Sequence, residues 1–101
     1  MPARAAPDIY ESAKLPGGKH HGLLRQLDGL GPRQLDRSIR SYRSQIEVHR
    51  AKLAEPRRIV QDWDSRSEEY KTGLLTKWRG EIKNFEEKIE IIERHKHEHG
   101  K

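Results

Sequence analysis

The sequence has no cysteine, which excludes disulfides and thiolate metal centres and, for the chain alone, reads as a soluble protein of a reducing compartment, with the alternative that it is one part of a larger exported protein. No apolar run approaches the roughly 18 residues of a membrane span, and the N-terminus lacks an apolar signal core. Aromatic residues make up only 6% and hydrophobic residues 32% of 101 residues. A chain of that length and composition forms one domain with a thin core. What it has in place of apolar content is charge, 37% of all residues, which suits long solvated helices better than a sheet.

That charge is unevenly placed. The chain carries a net +5, and residues 31–58 alone hold eight basic against three acidic side chains. Their centre is Arg33 to Leu53, RQLDRSIRSYRSQIEVHRAKL. Leu35, Ile39, Tyr42, Ile46, His49 and Leu53 recur at alternating spacings of four and three, the a/d seam of a helix packed lengthwise on another. Arg33, Arg37 and Arg40 share the opposite side at about 100° per residue. A basic ladder of this kind points to a polyanion or an acidic protein partner, although a solvated face that happens to use arginine has the same pattern.

A second seam runs from Ser67 to about His97: Leu75, Trp78, Ile82, Phe85, Ile89 and Ile92, extended by Tyr70 and Leu74. Pro56 stops the first helix, and residues 57–66 connect the two, with Ile59, Val60 and Trp63 as anchors. Upstream, Leu23, Leu24, Leu27 and Leu30 make a short amphipathic helix, and Pro32 stands at a first helical position, where its missing N–H costs nothing. The expected fold is all-α: an antiparallel long-helix hairpin with a short N-terminal helix packed across it, over the early part of the first long helix. Residues 1–16, with Pro2, Pro7 and Pro16, read as a linker or arm in which Ile9, Tyr10 and Leu15 are docking candidates. Residues 17–101 form the single domain, with a frayed end.

The most unusual stretch is Pro16-Gly17-Gly18-Lys19-His20-His21-Gly22. Glycines there allow positive φ and close backbone approach, and two histidines beside a lysine offer an acid or base next to a cation, the needs of phosphodiester cleavage without a metal. A flexible lead into the next helix with incidental histidines reads equally well. If the short helix turns back along the first long one, Lys19, His20 and His21 come beside Arg40, Tyr42 and Arg43, with Trp78 and Glu81 nearby. The candidate catalytic set is then Lys19, His20, His21, Arg40, Tyr42 and His49, although a seam histidine such as His49 also serves as a core residue. Arg25, Arg33, Arg37, Arg43 and Trp78 are the candidate nucleic-acid contacts. No metal ligand set is expected. Asp62 and Asp64 have no third carboxylate at a helpful spacing, and Asp64 or Ser65 more simply helps cap the next helix; in the tail His95-Lys96-His97-Glu98-His99 two histidines share a face with no acidic or thiol ligand to complete a site.

The segment GKHHGLLRQLDGLGPRQLDRSIRSYRSQIEVHRAKLAEP, followed by DWD and LLTKWRGEIKNFEEKIEII, resembles the small C-terminal toxin modules of bacterial polymorphic toxins, the variable tips of Rhs-type and contact-dependent-inhibition proteins. The likeness spans about residues 17–93 and rests on the G-K-H loop, the S-Y-x-x-Q-I-x-x-H helix and the K-W-x-x-E-I helix. It implies a tip carried by a larger secreted effector, toxicity in the cytoplasm of the target cell, and a cognate immunity protein, for which a basic face favours an acidic surface. Many such tips cleave RNA, tRNA prominently; others attack nucleotides, proteins or membranes. Three readings follow: a metal-independent ribonuclease toxin, a non-catalytic basic hairpin that binds nucleic acid or an acidic partner, and a coiled-coil adaptor.

Overall fold

The computed structural model describes residues 8–101, and among these there is no strand. Four helices follow in order: α1 (Ile9–Lys14), α2 (His21–Leu27), α3 (Pro32–Ala54) and α4 (Glu68–His99). No helix among the described residues is long and apolar enough to cross a membrane. The expected arm at residues 1–16 carries α1 in its second half, and its first seven residues lie outside the described residues.

The hairpin forms as its seams dictate. α3 starts with Pro32 at its first turn, and the Gln34 side chain accepts from the Gly31 backbone N–H. α4 starts at Ser67, whose hydroxyl accepts from the Tyr70 N–H at 3.1 Å. Neither Asp64 nor Ser65 caps it: Asp64 pairs with Arg57 at 2.8 Å, and the Ser65 hydroxyl donates to the Asp62 carbonyl at 2.9 Å. The antiparallel register is pinned by Asp36 against Lys96 near one end and His49 against Glu81 near the other. Leu35, Ile39, Ile46 and His49 of the first seam are buried, as are Trp78, Ile89 and Ile92 of the second. At 1.5 Å per residue the 32-residue α4 outruns the 23-residue α3. Its first turns therefore project past Ala54, and Tyr70 lies exposed there with the Arg66 guanidinium 4.9 Å over its ring. In the connection Trp63 is the buried anchor, whereas Ile59 is 54% exposed.

The short helices differ from expectation in their seat. α1 and α2 pack on each other and on α4, not along the start of α3. The cause is a second stripe on α4. Glu87, Arg94 and Glu98 take partners from the N-terminal segment, namely Lys19 and His20, Asp8, and Tyr10. By helical rotation they sit roughly opposite Glu81, Phe85, Glu93 and Lys96, which meet α3. Ile91, fully buried, falls on this stripe. α4 is therefore covered on two sides over its C-terminal half and forms the central layer of the molecule, which measures 51 × 41 × 24 Å.

Candidate functional site

The glycine-rich loop folds back on the end of α1. Gly17 has φ +80°, and a β-carbon on Gly18 would lie 1.9 Å from the Ser12 carbonyl oxygen. The close approach foreseen from the glycines is thus made to the chain's own backbone. His20 follows in the left-handed region, φ 66°, a conformation uncommon for a residue with a β-carbon. Its Nε2 lies 3.0 Å from Glu87 Oε1, and Lys19 Nζ lies 2.7 Å from the same oxygen. Burial pushes the Glu87 carboxyl up, but the hydrogen bonds from Lys19 and His20 outweigh it and hold the group below its ordinary value. His21 points differently: its Nδ1 donates to the Ala13 carbonyl at 2.8 Å.

The remaining predicted residues are not gathered around this loop. α4 stands between Lys19–His20 and the α3 side chains, so the expected cluster with Arg40, Tyr42 and Arg43 is not formed. Tyr42 stacks on Phe85 at 5.7 Å, with Lys88 Nζ 5.3 Å over its ring. Arg43 pairs with Glu93 at 3.3 Å. His49, 7% exposed, bonds the Gln45 carbonyl through Nδ1 at 2.7 Å and meets Glu81 through Nε2, so both ring nitrogens are engaged inside the seam. Trp78, 5% exposed with Lys52 Nζ 5.9 Å from its ring, has no face left for a base. Arg33, Arg37 and Arg40 are exposed on the outer side of α3 and make no ion pair among the described residues.

Sequence reasoning missed two acidic residues. Glu87 lies in a Glu/Lys-rich helix surface with nothing local to single it out. Asp28, at the C-terminal end of α2, comes beside His95 and His99, and the donor atoms of the three lie within 4.8 Å of one another. α4 is helical through His99 and closed by Gly100 in the left-handed region, φ 62°. Burial, then the nearby His99 and Lys101, holds the His95 imidazole below its ordinary range. The three residues border a groove of about 240 Å³ between α1, α2 and α4 that His21 and Arg25 also line. A larger groove of about 500 Å³ runs between α3 and α4, but it is lined by Ile46, Ile89 and arginine and glutamate side chains, with no histidine. The chemically richer site is the smaller one. No protein-family model, curated protein or solved structure matches the chain.

Proposed function

We propose that the chain binds RNA through the outer face of α3. The observation that carries this reading is the row Arg33, Arg37 and Arg40, exposed and without acidic partners among the described residues. On the same helix Arg43 and Arg50 are paired, with Glu93 and Glu47. Guanidinium groups that the fold does not use are free to contact phosphates, and the seven-residue span sets the row along about 10 Å of helix. The same row suits an acidic immunity protein, the partner implied by the resemblance to toxin tips.

Fluorescence anisotropy with a single-stranded RNA, repeated across salt concentrations, tests the reading. Affinity should fall log-linearly with salt, and each Arg→Ala in the row should reduce the slope by about 0.7. Binding that survives replacement of all three arginines with an unchanged slope rejects this face.

One further observation favours a catalytic reading, a metal-independent ribonuclease tip delivered by a larger effector into a target cell. His20 is held in an unfavourable backbone conformation with its ring fixed by Glu87 beside the Lys19 ammonium, and such strain concentrates at working sites. This loop and the arginine row lie on opposite flanks of the two long helices, separated by roughly 20 Å. Substitutions should therefore act separately. His20→Ala should bind RNA normally yet lose cleavage and toxicity by about 10² to 10⁴, with the parent activity unaffected by EDTA. Full toxicity of His20→Ala on induced expression removes the catalytic reading and leaves the binding one standing.

A further inference from the structure

We propose that Asp28, His95 and His99 form a site for a divalent transition-metal ion of the zinc class, which clasps the end of α2 to the end of α4. His95 and His99 stand one helical turn apart on α4 with ring centroids 4.3 Å from each other. Asp28 reaches them because α2 packs on α4. The donor atoms lie within 4.8 Å of one another. Tetrahedral donors on zinc, with bonds of about 2.0–2.1 Å, are roughly 3.3–3.5 Å apart. The gap is closed by rotating side chains, since Asp28 and His99 are exposed while His95, 1% exposed, is fixed by its surroundings.

The donor set selects the ion. Two imidazoles and one carboxylate suit Zn²⁺, Ni²⁺ or Cu²⁺, whereas Ca²⁺ and Mg²⁺ take oxygen ligands. Three protein donors leave a further position open to water from the adjoining groove. An independent feature marks the same spot as a seat for positive charge. Lys101 Nζ sits 3.5 Å from His95 Nε2, held by the carbonyls of Leu27, Asp28 and Leu30 at 3.4, 3.3 and 3.0 Å. A metal on His95 displaces that ammonium from the imidazole, so the lysine competes with the ion.

Titration of the full chain with Zn²⁺, followed by calorimetry and thermal unfolding, tests the site. One equivalent should bind saturably and raise Tm, and EDTA should reverse the rise. Co²⁺ in its place should develop the visible absorption of a low-symmetry nitrogen and oxygen site. Because His95 is buried, its substitution tests folding as much as binding; the exposed His99→Ala and Asp28→Asn separate the two. Each should weaken Zn²⁺ binding at least about tenfold, the lower bound for loss of even an outer-shell group. Lys101→Gln should tighten binding, and His97→Ala, outside the cluster, should not change it. Absence of saturable binding overturns the proposal, as does parental affinity in both His99→Ala and Asp28→Asn. No RNA enters these measurements, so the outcome is independent of the reading of α3.

Discussion

Gly18 and Tyr10 fix how the N-terminal segment is held, one by what it lacks and one by what it buries. A β-carbon at Gly18 has no room against the Ser12 carbonyl, so Gly18→Ala must move the loop or α1. The expected cost is roughly 1–3 kcal/mol, read as a lower urea midpoint; a change below about 0.3 kcal/mol would show that the loop relaxes freely. Tyr10, 1% exposed, bonds Glu98, with Lys14 and Arg94 flanking its ring at 4.7 and 4.9 Å. Burial first, and the Glu98 carboxylate second, push the phenol up from 10.0 to about 12. A group raised in the folded state contributes stability that is complete below its unfolded value and lost as pH rises through the folded one. The window is therefore pH 10 to 12. Ultraviolet titration should show a tyrosinate step near the top of that window, absent in Tyr10→Phe. If the absorbance curve of Tyr10→Phe keeps that late step, another tyrosine owns it.

At the scale of the helices, α4 is the element on which everything else is built, and its two faces should fail separately. Ile91 and Ile92 are both fully buried, and replacing either with Ala should cost about 2–5 kcal/mol. Ile92 belongs to the α3 seam and Ile91 to the stripe under α1 and α2. Hydrogen exchange should therefore report loss of protection in α1 and α2 for Ile91→Ala, and across α3 for Ile92→Ala. Equal loss everywhere in both variants would mean that the two layers unfold as one. The α3 face was legible in the sequence because Leu75, Trp78, Ile82, Phe85, Ile89 and Ile92 are apolar at strict three-four spacing. The other face was not, because Glu87, Arg94, His95 and Glu98 are polar and Ile91 adjoins Ile92, so its apolar content looks like the shoulder of the first seam. Site residues divide in the same way. The exposed arginine row follows from helix period alone, whereas the partnership of His20 with Glu87, or of Asp28 with His95, depends on where α2 docks. That docking is set by shape and ion pairing across more than sixty residues of chain, which no local pattern encodes.

For the whole molecule, the layer between the N-terminal segment and α4 is fastened by Asp8, Glu87 and Glu98. Hydrogen bonds from Arg94 and Tyr10 hold Asp8 and Glu98 below their ordinary values of 3.8 and 4.5, and Glu87 is likewise lowered once its partners offset its burial. Depressed carboxyls contribute stability above their unfolded values and lose it as pH falls through the folded ones. Acidification below about pH 4.5 should thus release α1 and α2 before the hairpin melts. Tyrosine fluorescence against far-ultraviolet circular dichroism would separate the two stages, and a single coincident transition would contradict this order. The same layer also sets an order in time. Asp8 and Tyr10 meet partners 86 and 88 residues later in the chain, whereas His49 finds Glu81 within the hairpin. At translation speeds of about 5–20 residues per second, α1 leaves the ribosome roughly 4–18 seconds before its partner exists. Through that interval the apolar sides of Tyr10, Leu23, Leu24 and Leu27 have each other but not α4 to lie against, so the earliest made of these four helices is the last to find its place.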